Sequence, residues 1–154
     1  MNIPHEPIDR RALGHKDYCL YRLSLKGLVV NDKREVLVVK ETGRDWWDLP
    51  GGGMEHGESV KDALARELAE EVNMHGDFDY RVICVDEPGL LKRADIWQIR
   101  LVFQVTPSNF EFSAGEDGDE VAFKNPNLFK DSESDGERLI YEYCSSRRLV
   151  RSMN

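Results

Sequence analysis

The chain has 154 residues, of which 40% are hydrophobic and 32% charged, and its formal net charge is -8. This length favours one domain with a substantial core. The negative charge argues against bulk electrostatic binding to nucleic acid or to an anionic membrane. No apolar run has the length that spans a bilayer, and the N-terminal residues lack the apolar core of a secretory signal. We therefore expect a cytoplasmic protein without a nucleic acid or membrane partner.

The three cysteines, Cys19, Cys84 and Cys144, are widely spaced and odd in number. They form neither a CxxC pair nor a Cys/His spacing that would indicate structural zinc. Buried thiols in a reducing cytosol are therefore the expectation, rather than a disulfide framework.

Hydrophobic patterns divide the first part of the chain into an arm, two strands and a glycine-rich segment. Residues 1–17 are polar and predict an irregular arm, which precedes a single domain over residues 18–154. Residues 18–30 predict a strand, and residues 35–40 (EVLVVK) predict its antiparallel return, buried on both faces. The four glycines within residues 51–58 predict a loop without regular structure, whose backbone can approach a ligand closely.

A helix is predicted over residues 59–74 (SVKDALARELAEEVNM), with Ser59 as its N-cap. Near its end, Glu67 and Glu71 are four residues apart and project to one side, with Glu70 beside them. Three carboxylates that repel one another either lie in solvent or hold a hard divalent cation. On helix spacing alone, a solvated acidic face is the commoner case.

The second half of the chain predicts further strands and a final helix. The strands cover residues 80–85, 96–105 and 120–123, with a loop over residues 86–95, a flexible acidic segment over residues 113–119, and the helix over residues 135–149. Mixed strands around two helices indicate an α/β fold.

The segment from Gly52 to Met74 resembles the signature of the Nudix hydrolases, Gly-x5-Glu-x7-Arg-Glu-apolar-x-Glu-Glu-x-Gly-apolar. Eight of its nine specified positions agree, and they are Gly52, Glu58, Arg66, Glu67, Leu68, Glu70, Glu71 and Met74. The residues just before it, 47–52 (WDLPGG), also resemble the usual lead-in of the family. The resemblance implies an α/β/α sandwich with a mixed β-sheet.

One position departs from the signature, because Asn73 stands where the family usually has glycine. That position follows the last helical turn, where a left-handed residue commonly ends a helix. Asparagine is the next best residue after glycine for this conformation. We therefore expect the substitution to leave the site intact.

The resemblance also implies an activity, which is hydrolysis of a phosphoanhydride bond in a nucleoside diphosphate linked to another group. The implied cofactor is Mg²⁺, with Mn²⁺ as a substitute, and the implied partner is a small nucleotide-type diphosphate. The implied metal ligands are Glu67, Glu70, Glu71 and the backbone carbonyl of Gly51. Glu70 and Glu71 also belong to the implied catalytic set, Glu70 as a ligand or as support for the attacking water. Mg²⁺ prefers such oxygen ligands.

Three further residues of the signature receive supporting roles. Arg66 joins the catalytic set as a group that can pair with Glu70 at i+4 and orient the acids. Gly52 and Glu58 are expected to hold the glycine loop in shape, with a place for Glu58 in the metal shell as the alternative.

Candidates outside the signature are a distant acid and two tryptophans. Enzymes of this family often use an additional loop acid, and residues 116–120 offer four, of which Glu120 is preferred because it lies at the start of the strand predicted over residues 120–123. A solvated loop is the alternative for each of these acids. Trp46 and Trp97 are candidates to stack on a base, with packing in the core as the alternative.

Two other functions are compatible with the same fold. An isoprenyl diphosphate isomerase needs a reactive cysteine in its site, and no cysteine lies in the signature. A nucleotide-sensing binding module is expected to have lost some of the helix acids, and all are present. The substrate and the phosphorus attacked stay open, as does the oligomeric state, although homodimers are common in the family.

Overall fold

The computed structural model describes residues 19–145. The elements are β1 (Tyr21–Leu28), β2 (Val36–Glu41), β3 (Gly51–Gly53), α1 (Val60–Val72), β4 (Phe78–Val85), β5 (Gly89–Leu91), β6 (Ile96–Pro107), β7 (Gly118–Lys124) and α2 (Asp135–Ser145). A short 3₁₀ helix, Pro126–Phe129, precedes α2. The predicted arm, residues 1–17, and the end of the predicted final helix, residues 146–149, lie outside the described residues.

The larger sheet has five strands in the order β3-β1-β6-β4, with β5 pairing with the start of β6. Strands β1 and β6 are parallel, and the remaining pairs are antiparallel, so the sheet is mixed. Strands β2 and β7 form a separate antiparallel pair. Within residues 19–145, no helix is long and apolar enough to cross a bilayer.

Two hydrophobic clusters place one helix on each side of the strands. The first joins α1 to the sheet and includes Leu25, Leu64, Leu68, Val72, Phe103 and Val105. The second joins α2 to the other side and includes Leu28, Val102, Ile140 and Tyr143. Strand β2 contributes to both clusters, because Leu37 and Val39 lie in the first and Val36 and Val38 in the second. The predicted α/β/α sandwich and the two-sided burial of β2 are both confirmed.

The predicted hairpin of β1 and β2 is wrong beyond its first contacts. The amide of Leu37 donates to the Val29 carbonyl at 2.9 Å, and Val30 bridges to Val36. After that point β2 pairs with β7, while β3 and β6 occupy both edges of β1. Because β1 has no free edge, β2 leaves it for the other sheet.

Regular structure also occurs in two segments predicted to be loops. Gly51–Gly53 pairs with Ser24, Leu25 and Lys26 as the edge strand β3, and Gly89–Leu91 pairs with the start of β6. A ladder of backbone hydrogen bonds needs no side chains, so glycine composition alone did not exclude a strand.

Helix α1 has the predicted ends. The hydroxyl of Ser59 accepts from the Asp62 amide at 3.1 Å, which makes Ser59 the N-cap. Asn73 ends the helix in the left-handed conformation, with φ of 52° and ψ of 35°. Its amide donates to the Ala69 carbonyl at 3.1 Å. Because both ends of the helix are capped, the positions of its acidic residues relative to β3 are fixed.

Candidate active site

Two acids of α1 are buried against the glycine strand. Glu67 is 8% exposed and Glu71 is 4% exposed. The amide of Gly51 donates to Oε2 of Glu71 at 2.8 Å. A Cβ atom at position 52 would lie 2.5 Å from Oε2 of Glu67, so only glycine allows this close approach. The glycines of β3 thus leave the space that the two glutamate side chains of α1 occupy.

Arg66 ties the loop that follows β3 to the helix. Its Nε and Nη2 donate to the two carboxylate oxygens of Glu58 at 2.7 and 3.0 Å, and Nη1 donates to Glu67 at 2.8 Å. Nη2 also donates to the Gly53 carbonyl at 3.0 Å. The predicted pair with Glu70 is present but longer, at 3.6 Å. Arg66 therefore orients Glu67 while it anchors the loop through Glu58.

The protonation of the acids follows from these contacts. Hydrogen bonding from Arg66 lowers the pKa of Glu58 to about 2. Burial raises the pKa of Glu71 to about 8, although the charge of Lys26 and the Gly51 amide oppose the shift. Burial, and then the charge of Glu67, raise the pKa of Glu70. A buried carboxylate of this kind is stabilised in its ionised form by a cation placed beside it.

The donor set fits a hard divalent cation. Within residues 19–145, no three acidic, histidine or cysteine side chains are already arranged as a complete metal site. Arg66 donates to Oε1 of Glu67, and the Gly51 amide donates to Oε2 of Glu71, so each contact leaves the second oxygen of that carboxylate for a cation. Carboxylate and carbonyl oxygens on two adjoining elements are nevertheless the ligands that Mg²⁺ and Mn²⁺ prefer. The Gly51 carbonyl accepts from Lys26 at 2.9 Å, which leaves one of its lone pairs.

Sequence reasoning missed Lys26, which lies beneath the glycine strand. It is 4% exposed, and its ammonium contacts Oδ2 of Asp48 at 3.0 Å. It also donates to the carbonyls of Leu49 and Gly51 at 3.1 and 2.9 Å. The position of a lysine within the apolar run of β1 could have revealed this role, because a buried lysine needs partners for its charge. Lys26 thus holds residues 48–51, the segment that leads into β3, in place.

The acidic loop brings Asp117, rather than Glu120, toward the cluster. The Asp117 amide donates to the Glu70 carbonyl at 2.9 Å, and the charge of Asp117 contributes to the raised pKa of Glu70. Glu120 is exposed and contacts Lys40 at 3.5 Å. A Cβ atom at Gly118 would collide with the Glu71 carbonyl. The glycine at this position was therefore a signal in the sequence that the acidic segment packs closely against the end of α1.

The two tryptophans lie at separate places. Trp46 is 43% exposed, and the guanidinium of Arg44 lies 5.6 Å from its ring centroid. Trp97 is 47% exposed on β6. Because side chains alternate along a strand, Trp97 faces the opposite side of the sheet from its neighbour Gln98, which pairs in register with Arg22. Stacking of Trp97 on a base stays a prediction without geometric support.

A pocket of about 190 Å³ borders the Gln98 side of the sheet. It is lined by Asp86, Glu87, Gly89, Leu90, Leu91, Gln98, Arg100 and Leu139. Pockets for whole drug-sized ligands measure roughly 300–1,000 Å³, so this pocket is smaller than a site that encloses a whole ligand of that size.

The pKa of Glu71 predicts how metal-free stability depends on pH. The pKa of an unfolded glutamate is about 4.3, whereas burial raises the pKa of folded Glu71 to about 8. Between these values the folded state holds a proton that the unfolded state lacks, so the free energy of unfolding contributed by Glu71 falls as pH rises, by on the order of 5 kcal/mol at most. Urea unfolding in EDTA, with Glu71→Gln for comparison, measures it. A wild-type-minus-variant difference that is flat or rises over this window would contradict the prediction.

A family model described as NUDIX domain matches residues 20–129. The chain therefore belongs to the Nudix hydrolase family, as the signature predicted. Members of this family generally use divalent metal ions.

Individual proteins agree with this assignment. An RNA pyrophosphohydrolase from Ruthia magnifica is 40% identical over 72 residues, which are 47% of this chain and 39% of that protein. An ADP-ribose pyrophosphatase from Methanocaldococcus jannaschii is 25% identical over 151 residues, covering 93% and 88% of the two chains. The crystal structure of a MutT protein from Methanosarcina mazei has a TM-score of 0.67 at 21% identity, covering 88% and 98%, and shares the fold. The alignment with the first relative spans well under two thirds of its length.

Proposed function

We propose that this protein hydrolyses a phosphoanhydride bond in a nucleoside diphosphate linked to another group, with Mg²⁺ or Mn²⁺ as cofactor. The observation that carries the proposal is the burial of Glu67 and Glu71 against a strand of three glycines. Burying two carboxylates side by side costs free energy unless a cation offsets their charge. A solvated acidic face would not need this arrangement.

In this proposal Glu67, Glu71 and the Gly51 carbonyl hold the metal ion, and Glu70 is a further ligand or orients the attacking water. The bound ion neutralises phosphate charge and lowers the pKa of a coordinated water. Glu71 keeps its orientation through the Gly51 amide, and Glu67 keeps its orientation through Arg66.

Positioning residues complete the proposed site. Arg66 and Glu58 hold the loop against the helix, and Lys26 holds the chain on the other side of β3. Among the loop acids we assign the distant catalytic role to Asp117, supported by the hydrogen bond of its amide to the Glu70 carbonyl. Glu120 is the alternative for that role.

The substrate class rests on the relatives and on the shape of the site. Two relatives are named as a pyrophosphohydrolase of RNA and a pyrophosphatase of ADP-ribose, so both names specify cleavage of a phosphoanhydride attached to a nucleotide. The net charge of -8 disfavours extended contact with nucleic acid, so we favour a small molecule whose distal group enters the pocket beside Gln98. A cytoplasmic location is part of the proposal. Cys19 is exposed and Cys84 and Cys144 are partly buried, so the expectation that all three thiols are buried is wrong. A homodimer stays a prediction.

A hydrolysis panel tests the proposal. Wild-type protein with Mg²⁺ is incubated with nucleoside triphosphates, ADP-ribose, nucleotide sugars, dinucleoside polyphosphates and a 5′-triphosphorylated RNA oligonucleotide. We expect turnover of at least one small-molecule class, with mass spectrometry identifying two phosphate-bearing products. Binding of a panel member without turnover would instead support a nucleotide-sensing module. Turnover of the RNA alone would contradict the small-molecule assignment.

A further inference from the structure

We propose that Arg22 binds a phosphate group of the substrate beside the acidic cluster, and that Gly53 makes room for its guanidinium. This inference rests on the proposed function and adds a phosphate-binding residue outside the Nudix signature.

The register of the sheet brings Arg22 to the glycine strand. Arg22 lies opposite Gln98 on β6, while Ser24, two residues on and on the same face, lies opposite Gly53 on β3. A Cβ atom at Gly53 would lie 2.6 Å from Nη2 and 2.9 Å from Cζ of Arg22. The guanidinium therefore lies directly against the backbone of Gly53, where alanine would displace it.

Gly53 connects Arg22 to the acids. The Gly53 carbonyl accepts from Arg66 at 3.0 Å, and Arg66 donates to Glu67 at 2.8 Å. Glu67 is also among the charges that act directly on Arg22. Two successive glycines thus admit a carboxylate on one face of β3, at Gly52, and a guanidinium on the other, at Gly53.

The charge of Arg22 is incompletely matched within the described residues. Its Nη1 donates to Oε1 of Gln98, a neutral group, and among residues 19–145 no carboxylate forms an ion pair with it. Burial lowers the pKa of Arg22, and the neighbouring charges of Arg93 and Arg44 lower it further. Arg22 is partly buried, and arginines that are withdrawn from water are ordinarily paired. A guanidinium has five N–H donors in a planar fork, so several donors remain for an anion.

Phosphate is the anion that fits this position. Arginine binds phosphate through two parallel charge-assisted hydrogen bonds. Strand β3 is the edge strand of the sheet, and the charge of Glu67 acts on Arg22 across it. A diphosphate whose first phosphate is held at Glu67 and Glu71 would therefore pass the edge of β3 to bring its second phosphate to Arg22. Arg22 supplies a cation on the side of the sheet that carries Gln98 and the pocket.

The test compares Arg22→Gln, Arg22→Lys and Gly53→Ala with Arg81→Gln. Arg81 is a matched control, because it also donates to a glutamine of β6, Gln104, and is exposed. Affinity for inorganic diphosphate in Mg²⁺ is measured by calorimetry, KM and kcat are measured with the best panel substrate, and melting temperature reports folding.

We expect Arg22→Gln to weaken diphosphate binding and raise KM about ten- to a hundredfold, which is the loss of one charge-assisted contact, with a smaller change in kcat. The affinity of Arg22→Lys for diphosphate should lie between those of wild type and Arg22→Gln, because lysine keeps the charge and loses the planar pair of N–H donors. Gly53→Ala reproduces the defect of Arg22→Gln without adding to it in the double variant, and Arg81→Gln has no effect.

A diphosphate affinity within about twofold of wild type in folded Arg22→Gln would overturn the inference. The inference would also be overturned if Arg22→Gln lowered only the melting temperature and kcat and left diphosphate affinity and KM unchanged. Failure of the proposed function gives a different result, since wild type would then turn over no panel member. Calorimetry with diphosphate still tests Arg22 in that case, because it requires no turnover.

Discussion

Glu71→Gln is expected to lower kcat by about a thousandfold or more while the protein stays folded. Glutamine keeps the shape of the side chain and removes its charge, so it is a poor ligand for a hard cation. A metal ion supplies several kcal/mol of transition-state stabilisation, and each 1.36 kcal/mol corresponds to a tenfold change in rate. Turnover of the best panel substrate at saturating Mg²⁺ measures the effect.

The fold should tolerate this change because of the environment of Glu71. With its pKa raised to about 8, the metal-free side chain is protonated at neutral pH, and glutamine resembles that neutral form. Its amide oxygen can still accept from the Gly51 amide. Glu142→Gln, an exposed change on α2 with the same loss of charge, is the control. Activity of Glu71→Gln near that of Glu142→Gln would refute the metal assignment.

Lys26→Met is expected to destabilise the protein by roughly 3–5 kcal/mol, the typical cost of removing one partner from a buried ion pair. The change leaves Asp48 buried without its cation and leaves the carbonyls of Leu49 and Gly51 without their donor. The glycine strand also loses its support on that side, so activity should fall in parallel. Urea unfolding measures the loss of stability.

Two further variants give this prediction its controls. Lys61→Met removes an exposed ion pair, with Asp77 at 3.3 Å, and should cost less than about 1 kcal/mol. Replacing Asp48 together with Lys26 by apolar residues should recover part of the loss, because no buried charge is then left alone. A cost for Lys26→Met no larger than that for Lys61→Met would show that the buried pair does not hold the site.

Local chemistry explains which parts of this fold could be predicted from the sequence. Helix α1 has a cap at Ser59, an apolar stripe and a left-handed residue at Asn73, and all three are encoded within a few neighbouring residues. The fixed spacing of Glu67 and Glu71 likewise follows from helix geometry. These features gave both the helix and the acidic cluster.

Long-range pairing explains what could not be predicted. Nothing near β2 in the sequence indicates that β6 occupies the edge of β1 and that β7, about 80 residues further on, receives β2. Strand β3 has no side chains to reveal it, and its role depends on Glu67 and Arg22 from other elements. The choice between Asp117 and Glu120 also depends on how their loop packs on the end of α1.

The buried and partly buried charges of the site differ in how well they are matched by partners. Lys26 has a buried carboxylate partner in Asp48, and Arg66 has Glu58 and Glu67. Glu71 and Arg22 are less well matched, one shifted toward its neutral form and the other bonded to a neutral glutamine. A cation beside Glu71 and a phosphate beside Arg22 would balance both charges. A metal-bound diphosphate supplies the cation and the phosphate together.

The most direct test of this account is the rate of hydrolysis of the best panel substrate as a function of free Mg²⁺. We predict no turnover in EDTA, a rate that rises and saturates as Mg²⁺ is added, and two phosphate-bearing products. An unchanged rate in EDTA, or no turnover of any phosphoanhydride substrate at saturating Mg²⁺ or Mn²⁺, would contradict it.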